Sequence, residues 1–134
     1  MKGFQLLNKK IRIAKKKILC DIGMHFGSLG NNLNEFKKVG NKVIGLKLYL
    51  NETTGNFLID KKDLEKIFTA WKITGKPILV HAEDDAITTV IKIAKKTGVY
   101  THFCHISLAS DLRQIIQAKN DGIKVSCGVT PHHL

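Results

Sequence analysis

The sequence is poor in arginine, proline and acidic residues, and it has no long hydrophobic run. Of its 22 basic residues only Arg12 and Arg113 are arginines. Recognition of phosphates and base edges favours the arginine fork, so a net charge of +11 does not by itself point to specific nucleic-acid binding. The charge comes from lysines that follow the solvated faces of predicted helices. No stretch reaches the about 20 apolar residues needed to span a bilayer as a helix. Residues 1–17 hold seven basic residues and no acid, without the apolar core of a signal peptide or the Arg- and Ser-rich bias of an organelle presequence. The three cysteines, Cys20, Cys104 and Cys127, are odd in number and lie in apolar, strand-like runs. Reduced thiols in a cytoplasmic protein are expected rather than a disulfide framework. Only Pro77 and Pro131 are prolines, both at the edges of strand-like runs, where the missing N–H does least harm.

What is present is a chain of 134 residues, 43% hydrophobic, enough for one modest domain with a core. No linker or low-complexity segment divides it, so residues 1–134 read as a single segment. Strand and helix patterns alternate. Residues 4–16 read as a basic helix and 17–22 as a buried strand. Residues 32–39 read as a short helix closed by Gly40, and 43–50 as a strand. Asp60 is an N-cap for a helix with Leu64, Ile67, Phe68 and Trp71 at i, i+3, i+4 and i+7, ended by Gly75. Strands follow at 78–82, 100–106 and 123–129. Between them lie a helix bearing Ile87, Val90, Ile91 and Ala94, ended by Gly98, and one bearing Leu112, Ile115 and Ile116, ended by Gly122. Strands apolar on both faces, alternating with helices, predict a parallel α/β sheet. A doubly wound sheet and a (β/α) barrel both fit this pattern, and no G-x-G-x-x-G follows a strand.

Lys47 stands out within Gly45-Leu46-Lys47-Leu48-Tyr49-Leu50. An unpaired ammonium buried in such a strand costs several kcal/mol or loses its proton. Alternation sends Leu46, Leu48 and Leu50 to a helix-packed exterior and Lys47 to the opposite face. The next two strands carry His81 and His105 toward their C-terminal ends. Each histidine alone reads as an ordinary core residue. Together with Lys47, on successive strands at corresponding depth, they read as a metal site of the kind zinc favours. Sites at the C-terminal ends of consecutive strands favour the barrel over the doubly wound sheet. Cys104 reads as a small buried hydrophobe. His25, His132 and His133 are further site candidates. The loop after the lysine strand, with Thr53 and Thr54, suits a cover over a site.

Four motifs then carry a resemblance: Gly45-Leu46-Lys47-Leu48-Tyr49-Leu50-Asn51, His81-Ala82-Glu83, Phe103-Cys104-His105-Ile106-Ser107, and Val125 through Pro131-His132-His133-Leu134. In order and spacing they resemble dihydroorotase, of the dihydroorotase and allantoinase branch of the zinc amidohydrolases, clearly from about Asp21 onward. The resemblance implies a partial (β/α)8 TIM-like barrel, covering roughly strands 3 to 7 with outer helices. It implies two zinc ions bridged by N6-carboxylysine at Lys47, with His81 and His105 on the second metal. The metals would polarise a ring amide carbonyl and generate hydroxide near neutral pH. Thr53 and Thr54 match part of a loop that covers substrate.

The implied activity is interconversion of dihydroorotate and N-carbamoyl-aspartate in pyrimidine biosynthesis, with allantoinase or hydantoinase chemistry as the alternative. A non-catalytic dihydroorotase-like subunit that partners aspartate transcarbamoylase is the rival from a different class, and a homo-oligomer is a further possibility. The family's His-x-His strand and its aspartate base have no counterpart in residues 1–134, so no catalytic base is assigned and the chain alone is expected to be inactive. Its open sheet edges are expected to favour aggregation. Gly128 stands where this branch often has glutamate, which weakens an accessory metal role for Cys104.

Overall fold

A computed structural model describes residues 3–51 and 57–133. Five parallel strands form one sheet in sequence order: β1 (His25–Gly27), β2 (Gly45–Tyr49), β3 (Ile78–His81), β4 (Thr101–Phe103) and β5 (Val125–Cys127). The helices are α1 (Phe4–Lys17), α2 (Phe36–Val39), α3 (Leu64–Trp71), α4 (Asp85–Thr97) and α5 (Ala109–Asn120). The arrangement is an arc of an α/β barrel, as expected.

The core lies between the sheet and the helices. Leu46, Leu48, Ile78, Val80 and Phe103 project from the strands and are 0% exposed. They meet Leu64, Ile67, Phe68 and Trp71 of α3 and Ile87, Val90 and Ala94 of α4. The three leucines of the lysine strand thus face the helices, and Lys47 faces the other way. Local signals set the helix ends. The Asp60 carboxylate accepts the Lys62 N–H at 3.0 Å, capping the 3-10 turn that leads into α3. Gly75 and Gly98 close their helices at φ 64° and 71°, a conformation that costs glycine little.

One expected strand is absent. Residues 18–24 form no element, and Leu19 and Cys20 are exposed. Ile18, Leu19 and Cys20 are apolar but have no neighbouring strand to pair with. The edge strand is instead His25-Phe26-Gly27, which pairs with Gly45, Leu46 and Lys47 of β2. Only Phe26 of these three is fully buried. The helix at residues 32–39 is a 3-10 turn followed by the single α-turn of α2. Ile116 faces outward, so the apolar face of α5 is narrower than its sequence indicates.

Candidate functional site

The sheet face away from the helices gathers the polar residues of the strands. Register places Gly27, Lys47, Leu79, His102 and Ser126 in one row across all five strands. The next row toward the C-terminal ends pairs Tyr49 with His81. His81 therefore lies one pleat beyond Lys47, not at equal depth as its sequence position indicates.

Lys47 is half-buried rather than sealed in the core. Its Nζ donates to Cys104 Sγ at 3.1 Å and sits 4.9 Å from the Tyr49 ring centre. A polarisable sulfur and an aromatic face thus replace part of the water an ammonium loses. Cys104 is accordingly a polar contact of the site rather than only a small buried hydrophobe.

His105 reaches the site by a backbone device. It falls beyond β4, and simple alternation would put it with the buried Thr101 and Phe103. Instead it adopts φ 40°, one of two non-glycine residues with positive φ among those described. This turns its ring toward β3, where His105 Nε2 stands 3.2 Å from His81 Nδ1, with ring centres 4.8 Å apart. Strain of this kind costs about 1–3 kcal/mol and is concentrated at functional sites.

Two histidines flank Lys47. His25 on β1 and His102 on β4 both have pKa values lowered from 6.5, first by burial, which disfavours imidazolium, and second by the charge of Lys47. His102 Nδ1 lies 2.8 Å from Ser126 Oγ, which also accepts the Tyr100 hydroxyl at 2.7 Å. The sequence reading missed His102 and Ser126. Their signal was the register itself, since both fall two residues before Cys104 and Gly128 on the same face. His132 and His133 lie in a separate 3-10 turn, Pro131–His133, with rings 4.5 Å apart. Thr53 and Thr54 lie outside the described residues.

The lowered histidine pKa values fix a pH dependence. A folded-state pKa below the unfolded one means that unfolded chains bind protons more readily on acidification. The stability involved is intact above about pH 6.5 and is lost as pH falls through that value toward the lower folded ones. Urea midpoints should drop between about pH 7.5 and 5.5, and His25→Gln and His102→Gln should each flatten the slope. An unchanged slope in both variants would contradict this assignment.

Among the described residues no three His, Cys, Asp or Glu side chains form a metal-holding group. Lys47 is a residue type outside those four. The residues fit zinc on one measurable point. Two nitrogens on one tetrahedral zinc, each about 2.0–2.1 Å from it, stand about 3.3 Å apart. The His81–His105 pair has this spacing.

A parallel sheet in strict sequence order, with helices outside and a lysine and histidines on its inner face, is an arc of a (β/α) barrel. L-Hydantoinase (dihydropyrimidinase) from Arthrobacter aurescens superposes with a TM-score of 0.88 at 20% identity, over 95% of this chain and 36% of that one. In sequence, nearly the whole chain is homologous to dihydroorotase. The multifunctional protein CAD of Squalus acanthias is 31% identical over 133 residues, which is 98% of this chain and 6% of that protein. A dihydroorotase of Methanosarcina mazei is 27% identical over 164 residues, 94% of this chain and 36% of that enzyme. The chain thus spans only a minor part of these relatives. No protein-family model matches it.

Proposed function

We propose that the chain is the metal-holding arc of a dihydroorotase-like cyclic amidohydrolase, which interconverts dihydroorotate and N-carbamoyl-aspartate. The observation that carries this reading is the 3.2 Å approach of His81 Nδ1 to His105 Nε2, at adjacent strand exits and on the face that bears Lys47. Lys47, His81 and His105 would hold zinc. In its neutral form the Lys47 amine adds to CO2 and releases a proton. The carbamate product, N6-carboxylysine, is an anion with two oxygens and can bridge two cations. Bound zinc supplies polarisation of the amide carbonyl and acidification of water. Thr53 and Thr54 would belong to a loop over the substrate.

The substrate is a small cyclic amide. Homology to CAD supports association with aspartate transcarbamoylase, and a cytoplasmic location accords with the free cysteines. Equilibrium dialysis with zinc tests the reading. The chain should bind the metal, and His81→Ala and His105→Ala should each weaken binding by about tenfold or more. Absence of zinc from the chain, and from the complete gene product by elemental analysis, would favour the non-catalytic subunit.

A further inference from the structure

On the inner face, three side chains outside the proposed zinc set join β4 to β5. Ser126 of β5 stands between Tyr100, just before β4, and His102 within it. Its Oγ accepts the Tyr100 hydroxyl at 2.7 Å and lies 2.8 Å from His102 Nδ1. A phenol is a stronger acid than a serine hydroxyl, so Tyr100 donates. The single Ser126 proton is then left for His102, and Nδ1 accepts it. In a neutral imidazole, accepting at one nitrogen leaves the proton on the other. Burial and the charge of Lys47 favour that neutral ring. His102 is therefore held as the Nε2–H tautomer, and a protonated nitrogen cannot ligate a metal.

That N–H has a direction. A Cβ added at Gly128 would stand 3.5 Å from His102 Nε2 and 3.6 Å from its Cε1. Gly128 and Cys104 follow the register pair Cys127 and Phe103, so they are neighbours across the exits of β5 and β4. Cys104 is also where the Lys47 amine arrives, with Nζ 3.1 Å from Sγ. The imidazole N–H and the lysine amine thus reach the same row of the inner face, and the missing side chain of Gly128 leaves that row open beside the imidazole. Two nitrogen donors around an open position suit an anionic oxygen.

We propose that His102 is a fixed Nε2–H donor to a carboxylate-type oxyanion in the space left by Gly128, with Ser126 and Tyr100 as the residues that position it. The oxyanion assigned is the carbamate of Lys47, in which the amine nitrogen has bonded to the carbon of CO2 and given up a proton to water. That assignment rests on the function proposed above. The donor does not, because the chain from Tyr100 through Ser126 to His102 includes none of the proposed zinc ligands.

The test uses the chain itself and three NMR readouts. Proton–nitrogen correlation of the imidazole rings should show His102 protonated at Nε2, and Ser126→Ala should convert it to a mixture of tautomers. With zinc and isotope-labelled bicarbonate as the source of CO2, the wild-type chain should show a carbamate carbon. His102→Phe and Gly128→Ala should each lower the carbamate equilibrium constant about tenfold or more, the worth of one hydrogen bond to a charged group. His102→Gln keeps an N–H donor and should restore most of it. Gly128 lies outside the left-handed region and its added Cβ makes only ordinary contacts, so Gly128→Ala should fold and keep the tautomer while filling the space. In Lys47→Ala, acetate should shift the His102 Nε2–H signal, and adding Gly128→Ala should abolish that shift. A wild-type His102 protonated at Nδ1 overturns the proposal. So does a carbamate that His102→Phe and Gly128→Ala leave unchanged. A wild-type chain that forms no carbamate overturns the Lys47 chemistry of the proposed function, and the acetate shift then decides the donor.

Discussion

Replacing Lys47 by alanine should abolish turnover in any closed barrel that carries this segment. The measurement is a chimera, in which residues 45–131 replace the equivalent arc of a complete dihydroorotase and hydrolysis of dihydroorotate is followed. The parent chimera should be active. The alanine variant should lose about a thousandfold or more, because it removes the anion that would hold two cations, and metal polarisation is worth several kcal/mol at the transition state. Lys47→Arg should fail equally. A guanidinium keeps the positive charge but stays protonated and cannot add CO2. An active Lys47→Arg chimera would show that charge, and not the carbamate, is what the site needs. Supplying a short-chain carboxylic acid to the alanine variant should restore part of the activity if an anion is the missing element.

The largest expected loss of stability follows Trp71→Ala. Trp71 is the only tryptophan in the chain and is 0% exposed. Its ring packs edge-on against Phe36 with centres 5.0 Å apart, and its Nε1–H donates to the Lys76 carbonyl at 2.9 Å. Truncation removes that packing and leaves a cavity between α2 and α3, at a cost of about 3–5 kcal/mol. A domain of this size has roughly 5–15 kcal/mol to lose, so the variant should be unfolded or nearly so at 37 °C. Circular dichroism during urea unfolding checks this, since the variant carries no tryptophan fluorescence. Trp71→Phe keeps most of the volume but strands the carbonyl, so it should cost about 1–3 kcal/mol. Equal midpoints for Trp71→Phe and wild type would show that the indole hydrogen bond contributes nothing.

Much of this fold is legible in the sequence where apolar periodicity and end signals agree. Leu64, Ile67, Phe68 and Trp71 mark the buried face of α3, and Asp60 and Gly75 mark its surroundings. The runs around Leu46, Val80, Phe103 and Val125 all become strands. Failure came at the first strand. Ile18, Leu19 and Cys20 satisfy an apolar criterion but face solvent, while His25-Phe26-Gly27 holds an edge with one large buried side chain. Pairing with β2, and not hydrophobicity, selects that edge, and pairing is a non-local property.

The candidate site is legible in the sequence as residue types and less so as geometry. Lys47, His81 and His105 share one face of the molecule, but alternation alone would have sent His105 into the core. A single positive φ reverses it, and histidine's enrichment at positive φ is too weak a preference to announce that dihedral.

The strand order has a consequence for synthesis on the ribosome. Because β1 to β5 are neighbours in chain order, every new strand finds its pairing edge already made. Growth from the N-terminal side can therefore proceed by docking one strand–helix unit at a time, with short loops to close at each step. A nascent chain paused after β3 would hold Lys47 and His81 on paired strands before His105 had been translated. Metal capture by the histidine pair would then come late, when β4 and the start of α5 have emerged, and it would favour the folded arc over looser intermediates.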